Sequence, residues 1–513
     1  MELKYDCYFL DMSRKKTADK PTTPRSTDVT TSKSESLPAA TLDTQIVIEA
    51  NSGEQFVRRI GVGLDPVNAP RLHAYAWNLF LGERRGLRLP QVRRLPEILS
   101  LQDMRDAVAV YFAKVSVCYG FIEKTSLERD LEQRWLLSEQ AYTHYDAVLC
   151  GVIALGCLFS EAHSIDVEND LVETARVILE SAISSPPDLE LVSGWILRVA
   201  YLRMVALPHV AWMASSITMH MIEAAGLHKT SSNGSTNPLY GAGLSQDDGS
   251  RQRILGIAQH MNTWLSFDLG RERVDLHQVV KTDVPPIHQG DCTHELLGIL
   301  RLTQRLDPHT TTDVANLEES LRSVLLRHHS IPPTILAQCN VALCICRRLK
   351  VLDHNISNEL FAEVMTLGER ALGAVRAMID TYQTWHHITN VPFQLVCIIL
   401  AFDSQATHGL LRSAMECLNS VYLKFNTEAA HEALRTASSL ISLHQRRKAA
   451  ESKALADIVK TFSATSTDLD DGNLEYLPSF PDADLALFGD LIPGLPNLLD
   501  DWNQDSFLPL QWP

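Results

Sequence analysis

The chain has 513 residues, of which 45% are hydrophobic and 21% charged, with a formal net charge of −16 and ten cysteines. That length supports a large core and one to three domains, and an acidic balance does not favour binding to a phosphate backbone. No Arg-rich or apolar presequence opens the chain and the longest apolar runs, such as 391–402, are too short for a bilayer, so the expectation is a soluble nuclear or cytoplasmic protein that does not enter membranes.

Residues 1–45 are polar and basic and are expected to be a disordered linker, because they offer too little apolar surface to offset the entropy of ordering. Within them, Asp6, Cys7 and Tyr8 precede a basic run, Arg14, Lys15 and Lys16. Residues 46–94 form a half-apolar leader. Its Gly61 and Gly63 lack the third glycine of a dinucleotide fingerprint.

From about residue 95 the pattern is helical. Met104, Val108, Tyr111, Phe112 and Val115 mark one face of a helix over 101–118. A turn at Tyr119 and Phe121 leads to a helix starting near Tyr145. Its part from Val148 to Phe159 is apolar all round, the mark of a core helix, and Gly151 and Gly156 allow close approach by neighbours. Two further helices are predicted over 189–205 and 209–225. Pro208 sits where a first-turn proline is tolerated, and Gly226 where a left-handed cap is expected. Trp195, Trp212, Met213, Met219 and Met221 read as core. A polar loop over 231–250 precedes another helix that carries Arg253 and Trp264 and ends at Gly270 and Arg271. The two arginines are expected to cap or bridge helices.

Between 290 and 460 a second helical half is predicted. Phe361, Val364, Gly368, Leu372, Val375, Ile379 and Tyr382 form one amphipathic stripe, with His386 and His387 just beyond. Residues 391–404 are a buried element. Thr427 caps a helix with the stripe Ala430, Leu434, Ala437 and Ile441, ending at the basic run Arg446, Arg447 and Lys448, read as a solvated helix end. Cys344 and Cys346 would point about 200° apart on a helix. They therefore read, with Cys339, as core thiols and not metal ligands. Asp247 with Asp248, Asp470 with Asp471, and Asn169, Asp170 and Glu173 lack the spacing of a metal-binding helical enzyme. No nucleophile elbow or phosphate loop occurs, so no catalytic residue and no cofactor are expected.

After Lys460 ten acidic residues and no basic ones remain, which leaves only −6 for the rest of the chain. Residues 461–513 interleave these acids with Leu485, Phe488, Leu491, Ile492, Leu498, Leu499, Trp502, Phe507 and Trp512. That composition suits an amphipathic disordered segment whose apolar side chains are taken up by a partner groove. A tail docked on the body, or simply disordered, is the alternative.

Pro208, Ala211, Trp212, Gly226, Leu227, His228 and Lys229, then Leu265, Ser266, Gly270 and Arg271 and the close at Val284 and Pro285, resemble the middle homology region of fungal zinc-cluster transcription factors. Glu272 stands where proline is usual, and Asn262 and Thr263 depart from the common pair. The resemblance spans about 95–460. It implies an all-α, multi-helix regulatory domain in a nuclear transcription factor. Asp6, Cys7 and Tyr8 with their basic run are similar to the last fragment of a Zn2Cys6 cluster. One thiolate cannot hold zinc, so Cys7 is either a lone remnant or an ordinary tail residue, and zinc enters only if the cluster is restored upstream. The resemblance implies a regulator, expected to be an activator of RNA polymerase II genes for carbon-source use or a metabolic cluster. The partners are transcription machinery or co-activators through the tail, DNA through the cluster or a partner, and a homo- or heterodimer mate. A co-regulator or repressor that binds a related factor without touching DNA is the alternative, and a helical enzyme the third reading.

Overall fold

In the computed structural model of the chain, residues 93–137, 142–161, 164–228, 248–276, 290–306, 313–403 and 407–463 are described. All lie in the compact unit that begins at Leu89. Among the described residues the structure is all-α, with no strand: α1 (Leu95–Ile98), α2 (Leu101–Lys114), α3 (Lys124–Leu136), α4 (His144–Leu158), α5 (Ile165–Ser181), α6 (Leu189–Val205), α7 (Pro208–Ala224), α8 (Asp248–Leu269), α9 (Thr293–Leu302), α10 (Val314–Leu325), α11 (Pro332–Val351), α12 (Asn358–Asp380), α13 (His387–Phe402), α14 (His408–Phe425) and α15 (Glu428–Ser463).

Short polar signals set the helix starts. Ser100 Oγ accepts from Asp103 N, Asp188 Oδ1 from Leu191 N and Asp313 Oδ1 from Asn316 N. Each satisfies one of the four donors that a helix start leaves orphaned. At α4 the Asp146 carboxylate reaches back to Thr143 N (2.8 Å) and also takes Arg134 Nε from α3 (2.6 Å). Pro208 and Pro332 occupy first-turn positions, where the missing N–H costs nothing. Gly226 and Gly270 adopt φ of +69° and +59° just past α7 and α8, conformations that a Cβ would strain.

The core helix α4 packs against α2, α5 and α6. From there contact passes from α6 to α7, α7 to α8, α8 to α9 and α9 to α11. In the second half α11 packs on α10, α12 and α13, and α13 on α14 and α15. The approach of α2 to α4 depends on Gly156, where an added Cβ would lie 2.0 Å from the Ala107 carbonyl oxygen. At Gly151 the same atom would meet Leu197 Cβ at 2.9 Å. The two halves are also stitched by Lys114, whose Nζ donates to the carbonyls of Phe159 (2.9 Å), Thr381 (2.8 Å) and Tyr382 (3.2 Å). A cation there answers the unpaired carbonyls at the ends of α4 and α12.

The structure corrects several expectations. Met213 is 45% exposed, because it points away from the face of α7 that carries Met219 and Ile222. Tyr382 lies beyond the end of α12 with φ of +52°, so the stripe it was assigned to stops at Ile379. Asp248 to Ser250 belong to α8 instead of the preceding loop. The basic run at 446–448 is not a helix end, since α15 continues to Ser463. Arg447 and Lys448 instead reach the Asp403 carboxylate at the end of α13.

Candidate functional site

Three polar constructions stand out from the apolar body, and none is a local sequence motif. The first fastens α8 to the turns on either side. Arg253 Nη1 donates to Asp291 Oδ2 (2.5 Å) and to the Gly120 carbonyl (2.8 Å), with the arginine side chain only 3% exposed. Thr293 Oγ1 donates to the Cys118 carbonyl and accepts from Gly120 N, and Cys292 N donates to the Val117 carbonyl (2.7 Å). The Cys118 and Cys292 thiols touch at 3.8 Å inside this knot. Burial, then the neighbouring Cys292, pushes the Cys118 thiol well up, so it stays protonated. An open groove of about 460 Å³ runs beside the knot, lined by Phe112, Val117, Gly120, Ile122, Lys124 and Asp291. The expected bridging role of Arg253 is seen here.

The second construction locks the segment after α8. Asn262 Nδ2 donates to Ser215 Oγ (3.1 Å), and its Oδ1 accepts from Val274 N (2.9 Å). Trp212 Nε1 donates to Ser266 Oγ and to the Glu272 carbonyl. Arg271 lies over the Trp212 ring, 4.8 Å from its centroid, and meets His209 Nδ1. Asn262, one of the departures from the zinc-cluster pattern, thus ties this turn with its side chain, while Glu272 contributes only its backbone carbonyl. Trp212 is half-buried and packs against the core, while its Nε1 ties α7 to that turn.

The third is a buried cationic centre. α6 contributes Arg203, α8 contributes His260 and Asp268, the turn after α2 contributes Tyr119, and the turn before α13 contributes Trp385 and His386, with His387 opening that helix. The Tyr119 ring lies 5.3 Å from Trp385 and 6.4 Å from His260, and Trp385 lies 5.2 Å from Phe159, in edge-on or tilted contacts. The rings of His386 and His387 are 3.9 Å apart. Arg203 Nη2 reaches Asp268 Oδ2 at a long 3.4 Å. Burial, then the Arg203 charge, pulls His260 down to about 3 and His386 and His387 well below the ordinary histidine value, which keeps the three imidazoles neutral near pH 7. Burial raises the Asp268 carboxyl. Arg203 Nη1, His260 Nδ1, Trp385 Nε1 and both His386 ring nitrogens are shut off from solvent and have no hydrogen-bond partner in the protein.

The residues that sequence singled out for partner contact, Leu485, Phe488, Leu491, Ile492, Leu498, Leu499, Trp502, Phe507 and Trp512, lie outside the described residues, as does Cys7. Among the described residues no group of three or more His, Cys, Asp or Glu side chains could hold a metal ion. Cys339 and Cys346 are buried in α11 while Cys344 is half-buried. No helix among them is long and apolar enough to cross a membrane. Sequence reasoning missed Arg203 and His260 altogether and passed over His386, because no spacing or periodicity links residues that only the tertiary fold brings together.

Comparison with known proteins gives the frame for these features. The family model described as the fungal specific transcription factor domain matches residues 108–285, a range that includes α3 to α8. Protein RDR1 of Gibberella zeae is 42% identical over 417 residues, covering 81% of this chain and 76% of its own length. Transcription factor kojR of Aspergillus oryzae is 33% identical over 469 residues, covering 91% of this chain and 82% of its own. A probable transcriptional repressor of Schizosaccharomyces pombe is 29% identical over 124 residues, covering 24% of this chain and 28% of its own.

Proposed function

The chain belongs to the fungal-specific transcription factor family, and from that membership we propose that this transcription regulator works in the nucleus as an activator of RNA polymerase II genes. The division of labour follows from the chain's chemistry. Residues 95–460 form the regulatory body, and the acidic segment 461–513 recruits co-activators or the transcription machinery. In that segment Leu485, Phe488 and Ile492 share one face of a short helix that acids keep solvated until a groove accepts it. DNA is contacted only where a zinc cluster is present or through a partner, with dimerisation a natural way to reach paired sites. The target genes serve carbon-source use or a metabolic cluster. The regulatory role is supported by the family match and by the named transcription factors the chain resembles.

The observation that carries this reading is similarity to named transcription factors over most of their length, joined to a tail whose ten acids are interleaved with large apolar residues. A fusion of residues 461–513 to an unrelated DNA-binding domain tests it. Reporter transcription is expected to rise and to fall back when Leu485, Phe488 and Ile492 are replaced by alanine; a silent fusion removes the activator reading. A second reading, a repressor or co-regulator, is favoured by the name of the Schizosaccharomyces pombe relative. It expects the same tether to lower reporter output.

A further inference from the structure

Cys118 and Cys292 meet inside the knot that fastens α8, although they are 174 residues apart in sequence. Their sulfurs are 3.8 Å apart and both side chains are buried. Three hydrogen bonds pin the two chain segments at this point. Cys292 N donates to the Val117 carbonyl (2.7 Å), Thr293 Oγ1 to the Cys118 carbonyl (3.1 Å), and Gly120 N to Thr293 Oγ1 (2.9 Å). The two cysteines are therefore held in register. A disulfide bond is about 2.05 Å long, so the sulfurs have to close by only about 1.8 Å, within reach of small side-chain rotations. A route for a small oxidant lies beside them. Ser116, Val117 and Gly120 from one segment, and Gly290 and Asp291 from the other, line the open groove of about 460 Å³. These are the chain neighbours of both cysteines. A slight opening of this corner, and not unfolding of the core, brings the thiols to the groove.

We propose that Cys118 and Cys292 form a dithiol–disulfide switch whose oxidant is hydrogen peroxide or a comparably small peroxide. In a reducing compartment the pair rests as two thiols. When the corner opens, one cysteine loses its proton and its thiolate attacks a peroxide oxygen. The O–O bond breaks, the departing hydroxide takes up that proton as water, and a sulfenic acid remains. The second sulfur, held alongside, displaces the sulfenic hydroxyl, which leaves with the second thiol proton as water. Two thiols and one peroxide thus give one disulfide and two waters. The thiolate is the reactive form, and burial keeps Cys118 protonated, so oxidation waits on the opening step. The bond closes a loop that contains α3 to α8 and ties the first helical half to the start of α9. Closing so long a loop restricts the unfolded chain strongly. The switch goes beyond the transcriptional role: it is read on the purified protein, whatever the tail does.

The test treats the full purified chain with hydrogen peroxide, below the dose that alters its circular dichroism spectrum, and maps disulfides by non-reducing peptide mass spectrometry. A peptide linking Cys118 to Cys292 is expected as the dominant crosslink and should disappear with dithiothreitol. The melting temperature should rise by at least about 2 °C on oxidation and fall back on reduction. Cys118→Ala and Cys292→Ala should each abolish both the linked peptide and the rise. Both variants keep the three pinning hydrogen bonds, which use no thiol, and the linked peptide in the parent protein decides the matter even where a variant misfolds. The half-buried Cys344 and Cys397 serve as internal controls for the dose. Two results overturn the proposal. One is that Cys118 and Cys292 stay free, or pass to sulfinic acid unlinked, at a dose that oxidises Cys344 or Cys397. The other is a linked peptide that forms only in denaturant, as chance pairing of unfolded chains would give.

Discussion

Replacing Arg253 with methionine probes the knot that holds α8 to its neighbours. The substitution keeps the aliphatic stem and removes the guanidinium that serves both Asp291 and the Gly120 carbonyl. Arg253 and Asp291 side chains are 3% and 13% exposed, so the stranded carboxylate has little water to turn to. Breaking a buried pair from one side costs about 3–5 kcal/mol. Asp291 keeps one bond from Thr293 N (3.2 Å), which places the expected loss near the lower bound, about 3 kcal/mol. Removing both charges together, as Arg253→Met with Asp291→Leu, relieves the stranded carboxylate and is expected to recover most of that loss. The assay is urea unfolding of the four proteins, read as midpoints at constant slope, and the cycle should yield a coupling of about 2 kcal/mol or more. An Arg253→Met protein within about 0.5 kcal/mol of the parent, or a double variant whose losses simply add, would refute the buried-pair reasoning.

Two glycines on helices should respond in opposite directions. Gly156→Ala puts a Cβ against the Ala107 backbone, and the overpacking cost of about 1–3 kcal/mol should outweigh the gain in helix propensity. Gly373→Ala meets nothing within 4 Å and should stabilise α12 by up to about 1 kcal/mol; denaturation midpoints decide both. Stability should also fall on acidification. His260, His386 and His387 have folded values held below the unfolded value of about 6.5. The unfolded chain therefore binds more protons, and stability is complete above about 6.5 and declines as pH drops toward the folded values. The slope approaches about 1.4 kcal/mol per pH unit for each histidine. Unfolding midpoints compared at pH 7.5 and 5.5 measure it, and His260→Phe should flatten the profile. Glu123 adds a lower window. Its carboxylate accepts from Thr125 N and Ser126 N, which draws it down to about 2. Its contribution is thus present above the ordinary carboxylate value and lost as pH falls toward 2, a loss that Glu123→Gln should abolish.

What the sequence discloses is local. The helix over Leu189–Val205, the proline start of α7, the left-handed Gly226 and the buried stripe Met104, Val108 and Tyr111 all follow from neighbours three or four residues apart. Gly151 and Gly156 were legible because an apolar helix with small residues implies close neighbours. Met213 was misread because α7 is apolar on more than one face, so periodicity could not say which side meets solvent. The end of α15 was misplaced because three successive cations resemble a helix terminus, while Asp403, the acidic partner of Arg447 and Lys448, lies just past the end of α13. The centre around Arg203 draws on residues from α6, α8 and the turn before α13, and no short-range pattern announces such a meeting. The segment 461–513 is the reverse case, legible in composition alone.

Transcript profiling of a deletion strain, complemented either with the full chain or with a chain ending at Lys460, bears most directly on the claim that a helical body regulates transcription through its acidic tail. A defined set of transcripts should fall on deletion and return with the full chain but not with the shortened one. An unchanged transcript profile, or full rescue by the chain that lacks the tail, would contradict the account.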